Sequence, residues 1–338
     1  MAAGQPPLPF RRAGRRTNLA LLIVLLGAFL SGWAAFAAGT TLPSRLATVG
    51  HGLLSLGVVV LTPWKTVVVR RAGTLRLASL VLAAVIILCL AAGFVEVFAG
   101  YRLIAGISPI QVHVGAALVA LPLLAWHLLR HPRQTPRRTD LRRRQLLRTA
   151  GFVAATGAGY ALLEGAGRLA GLPSARRIAS GSHRIAPAAI PATTWLLDRV
   201  PDLATDHSVL VDGTAVPVPD LAARALPVQA RLDCTSGWFA DAAWSGVPLD
   251  ALVSAGRLAD ATSIVVTSVT GYRRRFPASE AGALWLATGF QGGQLTAGTG
   301  APVRLVAPNR RGFWWVKWVA SVDLSDAPAY AQSPFPLQ

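Results

Sequence analysis

Acidic side chains are scarce in the first half of this chain. Residues 1–171 hold Glu96, Asp140 and Glu164 against 19 lysines and arginines, a net +16, whereas residues 172–338 come to only +2. Charged residues of either sign are few: 14% of 338 positions, against 53% hydrophobic, too apolar for an ordinary soluble protein. Cysteine is nearly missing, and two residues, Cys89 and Cys234, make a disulfide framework untenable. Also lacking is any interleaving of aromatic with basic residues of the kind that stacks bases. The net +18 therefore does not make nucleic acid an expected partner. The arginines flank hydrophobic runs instead, which is the pattern of membrane topology.

The length allows about two domains. Four runs reach the roughly 20 apolar residues that cross a bilayer: 18–40, 51–69, 76–99 and 107–129. They predict a membrane helical domain over 1–147, with the lipid bilayer as its partner. Arg11, Arg12, Arg15 and Arg16 precede the first run, Arg70, Arg71 and Arg76 separate the second and third, and eight arginines lie from Arg130 to Arg148. The alternate loops, 41–50 and 100–106, carry one arginine each. The excess of positive charge inside predicts a cytoplasmic N-terminus. A weaker fifth run, 148–171, would place residues 172–338 on the extracytoplasmic side of the cell membrane. Its opening, "RRRQLLRTAGFVAATGAG", resembles a twin-arginine export signal, which carries proteins already folded around a cofactor; the alternative is a basic loop followed by a plain helix.

Ionisable residues within membrane spans are functional candidates. His113 and His127 are 14 residues apart on one expected helix. At about 1.5 Å and 100° per residue that is about 21 Å of rise and about 320° of rotation, so both lie on nearly one face. Such spacing suits b-type haem held by imidazoles from facing helices. His51, expected to begin the second span, and His113 would share one haem. His127 has no good histidine partner and would otherwise be a snorkelling end residue. Cys89, within "VIILCLAAG", reads as a small buried hydrophobe. One histidine on an early span and two 14 apart on a later one resemble the membrane haem subunit that partners a periplasmic methionine-sulfoxide reductase.

Beyond residue 171 the runs shorten and Pro and Gly punctuate them. Alternation predicts strands at 207–213, 228–234, 263–269, 302–308 and 316–324; short helices are expected at 219–225, 248–256 and 278–288. The blocks "SVLVDGTAV", "RLDCTSGWFADAAWSGVPLDALV", "VTGYRRRFP" and "GTGAPVRLVAPNRRGFWWVKWVASVDL" resemble, in order and spacing, the sulfite-oxidase-type molybdopterin domain. "GSHRIAPAAIPATTWLLD" fits its opening segment. The expected fold is thus an all-α transmembrane bundle of four to five spans followed by an α+β, β-rich molybdopterin domain over 172–338.

The resemblance implies that Cys234 binds molybdenum; Tyr272 and Arg273 are further catalytic candidates, the arginine as a charge that attracts an oxyanion substrate. It implies cofactor contacts at Thr299, Arg304, Trp315, Val316 and Lys317, at Ser268, and upstream at Gly181, Ser182 and His183. Arg310 and Arg311 extend the basic cluster that a pterin phosphate requires, or else form a solvated turn. The chain departs from its relatives in having Thr299 where many have His or Asn, and Thr270-Gly271-Tyr272 where Asp-Gly-Tyr is common. Of Arg273, Arg274 and Arg275, consecutive on a strand, at most one is expected to face the pocket. Neither a cytochrome b5-like domain nor a dimerisation domain is expected, unlike animal sulfite oxidases.

The functional expectation is a membrane-anchored molybdenum oxidoreductase with Mo-molybdopterin and haem b as cofactors. It would exchange electrons with quinol or another carrier and act on a small oxo-donor or oxo-acceptor. A sulfoxide, other S-oxide or N-oxide reductase leads. A sulfite-like oxidase and a non-catalytic binding module on a membrane anchor are the alternatives.

Overall fold

A computed structural model describes residues 14–37, 42–71, 77–130, 143–192, 199–203 and 207–333. The chain divides into two compact units, Met1–Phe36 with Leu42–His183, and Arg184–Gln338 with Ala37–Thr41.

The first unit is helical: α1 (Arg15–Ala37), α2 (Leu42–Arg71), α3 (Leu77–Ala99), α4 (Pro109–Arg130) and α5 (Arg143–Leu169), then a 3-10 turn at Pro173–Arg176. Among the described residues, four helices, α1 to α4, are long and apolar enough to cross a membrane. They expose Leu30, Ile87, Leu88 and Leu118 rather than burying them, as expected of a bundle bathed in lipid. Helix α5 forms over 27 residues, but its Gly- and Ala-rich sequence leaves it outside that set. Helices α3 and α4 pack together, as do α2 and α5. Small residues let them approach: a Cβ added at Gly57 would meet Phe152 at 3.0 Å. Helix α2 begins nine residues before His51, so His51 lies inside the helix and not at the start of a span. The basic loop from 131 to 142, His131, residues 72–76 and the first arginines, Arg11 and Arg12, lie outside the described residues.

The second unit holds two sheets. In the six-stranded one, the long β5 (Trp238–Pro248) pairs antiparallel with β4 (Leu226–Asp233) and β8 (Trp285–Phe290). Strand β8 also takes β9 (Gly293–Gln294) and β10 (Arg304–Val306). Beside β5 runs β1 (His183–Arg184), followed by a 2.9 Å bond from Ile185 N–H to the Phe239 carbonyl. The five-stranded sheet runs β3 (Thr214–Pro217), β2 (Ser208–Val211), β11 (Val319–Ser325), β6 (Ser263–Ser268) and β7 (Arg273–Pro277). Within it β11 and β2 are parallel and the other pairs antiparallel. Val209, Ile264, Val266, Phe276 and Val322 form the core of this sheet; Trp238, Ala240, Trp244, Leu286 and Leu305 form that of the other.

Two short helices are α6 (Val218–Ala223) and α7 (Ala255–Asp260). The helix expected over 278–288 is instead a 3-10 turn at Ala278–Ala283 running into β8. That segment mixes Gly282 with Trp285 and Leu286, and cross-strand pairing with β5 and β10 outweighs a weak helical preference.

Candidate functional site

Strand β4 ends at Asp233 and β5 begins at Trp238, leaving a tight turn that carries Cys234. The Cys234 N–H donates to the Trp238 carbonyl at 2.8 Å, and the Gly237 N–H returns to the Cys234 carbonyl at 3.3 Å. Cys234 is buried and is in no disulfide among the described residues. Beneath it lies an ion pair with both side chains buried: Arg311 Nη1 to Asp233 Oδ1 at 2.6 Å. Arg311 Nη2 also donates to the Cys234 carbonyl at 3.3 Å. Gly312 completes the support, since a Cβ there would lie 3.2 Å from Cys234 Cα. The thiol is therefore fixed from below by charge and from the side by backbone contact.

The opposite wall is a 3-10 turn, Ala297–Thr299, capped by reciprocal bonds between Thr296 and Thr299. Three long side chains fasten to its carbonyls. Lys317 Nζ reaches Gly298 at 2.6 Å, Trp318 Nε1 reaches Ala297 at 2.8 Å, and Arg304 Nη1 reaches Thr299 at 2.8 Å. The Arg304 guanidinium lies 4.9 Å from the Trp244 ring centroid and 5.4 Å from that of Trp315. It is 2% exposed. Among the described residues its Nε has no hydrogen-bond partner, and no carboxylate pairs with it. Burial pushes its pKa down to about 9, with Cys234 opposing the shift. A buried cation paired with no carboxylate makes this cleft favourable to an anion.

Cys234, Ser268, Tyr272, Thr299, Arg304, Trp315 and Lys317 line one cleft, so the structure gathers these expected residues from five segments. Val316 stands behind it, its carbonyl accepting from Leu305 N–H at 2.7 Å. Other expected residues lie elsewhere. Arg310 pairs with Glu280 at 2.7 Å near the surface. Arg311 is the support just described. Ser182 and His183 are buried in the helical unit. Arg273 is exposed, and strand alternation buries Arg274 in its place. Arg274 Nε donates to the Tyr272 hydroxyl at 2.8 Å, and that hydroxyl donates to the Phe313 carbonyl. The sequence favoured Arg273 over Arg274, and singled out neither Asp233 nor the cleft's aromatic lining, Trp238, Phe313 and Trp318. The density of Trp residues between 238 and 318 was the available signal.

Residues 211–333 match the family described as oxidoreductase molybdopterin binding domain. By this match residues 211–333 are a molybdopterin-binding oxidoreductase domain, and four long apolar helices precede it. No curated protein matches the chain. Among solved structures, the sulfane dehydrogenase SoxCD from Paracoccus pantotrophus is similar at 22% identity and a TM-score of 0.34, over 38% of this chain. The chain spans 40% of that protein's chain. The cleft fits the molybdenum cofactor by its donor set: a buried cysteine sulfur and a buried guanidinium line the same cleft.

The helical unit brings together two of the three expected histidines. The rings of His51 and His113 lie edge to face, centroids 5.6 Å apart. His51 Nδ1 bonds the Ala28 carbonyl at 2.8 Å and His113 Nδ1 bonds the Cys89 carbonyl at 2.7 Å. A carbonyl partner requires Nδ1 to carry the proton, which leaves the Nε2 lone pairs for a metal. Glycines admit both rings: a Cβ at Gly32 or Gly93 would lie 2.9 Å from His51 or His113. His127 does not join them; its Nδ1 lies 3.4 Å from Ser79 Oγ, fourteen residues further along α4.

Proposed function

We propose that the chain is a membrane-anchored oxygen-atom-transfer enzyme of the extracytoplasmic side. It reduces a sulfoxide or a related S- or N-oxide with electrons drawn from a quinol through haem in the helical unit. The observation that carries this reading is a buried cysteine, Cys234, lining the same cleft as the buried Arg304, whose charge interacts with it.

When bound, the molybdenum cofactor supplies two-electron oxygen-atom transfer. The chain's own residues do the rest. Cys234 offers a soft thiolate ligand. The Asp233–Arg311 pair and Gly312 hold that sulfur in one place. Arg304, clamped between Trp244 and Trp315, supplies the positive charge that a pterin phosphate or dithiolene needs, in a setting where screening by water is weak. Trp238, Phe313 and Trp318 exclude water and accept an apolar substituent on the substrate. Tyr272 forms part of the wall, oriented by Arg274 and the Phe313 carbonyl.

In the helical unit, His51 and His113 present two imidazoles whose tautomers are set by backbone carbonyls, a donor set that suits haem iron. Lipid-facing α1 to α4 anchor the enzyme, and the arginine distribution supports an inner, cytoplasmic N-terminus.

Purified full-length protein from a cofactor-competent host tests this. Molybdenum at one atom per chain, with reoxidation of the reduced enzyme by methyl sulfoxides, is the expected result. Oxidation of sulfite without reaction toward sulfoxides or N-oxides would transfer the reading to the oxidase alternative. Absence of molybdenum would overturn both.

A further inference from the structure

Strand β7 lies at the edge of the five-stranded sheet. An edge strand presents backbone groups that another chain can pair with. Here the segment that follows β11 comes back along it. Gln332 stands in for a neighbouring strand: the Arg275 N–H donates to Gln332 Oε1 at 2.9 Å, and Gln332 Nε2 donates to the Arg275 carbonyl at 2.6 Å. Arg275 Nη1 donates to Ser325 Oγ at 2.6 Å and to Ser263 Oγ at 2.9 Å, and Ser263 Oγ donates to the Ala327 carbonyl at 2.6 Å. One residue further, the Ser333 carbonyl accepts from Arg274 Nη1 at 2.9 Å. The returning segment therefore grips β7 at two adjacent arginines.

Arg274 carries that grip to the cleft. It is fully buried, and the ring centroids of Tyr272, Phe313 and Trp314 lie 5.2, 5.1 and 5.4 Å from its central carbon. Tyr272 and Phe313 both line the cleft. Arg274 Nε donates to the Tyr272 hydroxyl, whose own proton goes to the Phe313 carbonyl. A bond of 2.7 Å from the Ser268 N–H to the Tyr272 carbonyl fixes the other end of the tyrosine. One guanidinium thus ties two cleft-lining residues to the Ser333 carbonyl, a task suited to the rigid, forked donor set of arginine. With its hydroxyl engaged by Arg274 and Phe313, Tyr272 meets a molecule in the cleft with its ring. Two aromatic side chains held in this way suit a flat apolar substituent.

We propose that Arg274 is a positioning residue for the substrate: it locks Tyr272 and Phe313 as one wall of the cleft, and residues 326–333 are the strap that fixes Arg274. The wall selects an aryl-substituted oxide over a methyl-substituted one. This selection rests on the reading of the cleft as the seat of sulfoxide reduction; the lock itself is measurable without turnover.

The chain has four tyrosines, so carbon-13 at the phenol carbon gives four NMR signals from the full chain in detergent, and Tyr272→Phe identifies one of them. That signal is expected to move in Arg274→Met and in Gln332→Leu while the other three hold. An unmoved Tyr272 signal in Arg274→Met overturns the lock, and one in Gln332→Leu overturns the strap. Selection is read with molybdenum-loaded protein and reduced viologen dye, as the KM for methyl p-tolyl sulfoxide divided by that for dimethyl sulfoxide. Arg274→Met and Tyr272→Phe are each expected to raise this ratio about tenfold, the scale of a misplaced wall in an apolar pocket. Because Arg274 acts through Tyr272, the double variant should exceed the larger single effect by no more than about twofold. An unchanged ratio in Arg274→Met with lowered thermal stability, or effects that multiply in the double variant, overturns the positioning role. Should Arg274→Met fail to fold, Arg274→Lys, which keeps the charge and loses the fork, takes its place in both measurements. If wild type with molybdenum bound reduces neither sulfoxide, the reductase reading fails, and the NMR signals still decide the lock.

Discussion

Replacing Arg311 by methionine isolates the support beneath Cys234. The side chains of Arg311 and Asp233 are 5% and 3% exposed and meet at 2.6 Å. Methionine fills much of the arginine volume, so the main loss is the charge. The substitution leaves the Asp233 carboxylate buried without its cation, and breaking a buried pair from one side costs about 3–5 kcal/mol. At about 2–4 °C per kcal/mol for a domain of this size, the unfolding midpoint of the second unit should fall by about 10 °C. The Cys234 carbonyl also loses its 3.3 Å donor, so molybdenum retention should fall with stability. Removing both charges, as Asp233→Leu with Arg311→Met, should recover most of the stability, because well-packed apolar replacements of buried pairs are near neutral. It should not recover the metal, since the turn is no longer held. Differential scanning fluorimetry on the full chain in detergent, with metal analysis of the same samples, reads both effects. A single variant within about 1 kcal/mol of wild type, or a double variant no better than the single, would refute the reasoning.

Arg304→Met should lower pterin content at least tenfold after purification, measured as fluorescence of released pterin. The cofactor-free protein should lose little stability, since the lost bond to the Thr299 carbonyl is offset by removal of a buried charge. His183 has its pKa lowered by burial, with Arg177 adding repulsion and the Glu96 and Pro173 carbonyls opposing. A histidine with a lowered folded-state pKa contributes fully above its unfolded value of about 6.5, and that contribution is lost as pH falls from there through the lower folded-state value. Stability should therefore rise from pH 5 to about pH 7.5, and His183→Asn should flatten the rise in pH-dependent melts. The double variant His51→Ala with His113→Ala should abolish the Soret band of the purified protein; a full band in that variant would remove both residues as ligands.

The parts legible in the sequence were those set by local pattern. Long apolar runs announced α1, α3 and α4 within a few residues and α2 with a start nine residues late, because lipid leaves little choice of structure. Strict alternation announced β2, β4, β6 and β11, and a cysteine after β4 with glycine nearby located the turn that carries Cys234. Strand β5 was missed because nearly every residue of its first half is buried, so Trp238, Phe239 and Ala240 show no alternation. The basic cluster was legible as a cluster and not as a division of labour. Arg304 faces the cleft while Arg310 and Arg311 take Glu280 and Asp233, carboxylates 30 and 78 residues away. Only the folded topology brings those carboxylates within reach. Arg273 and Arg274 illustrate the same limit: alternation showed that adjacent arginines diverge, and the sheet's packing decided which one is buried.

X-ray absorption at the molybdenum edge tests the central claim most directly, because it counts the sulfur atoms bound to the metal. The wild-type full chain should show one more sulfur neighbour than Cys234→Ser, with the serine variant still retaining pterin through Arg304. Identical sulfur counts in the two proteins, or wild-type protein whose Cys234 remains freely alkylated with molybdenum bound, would contradict the account.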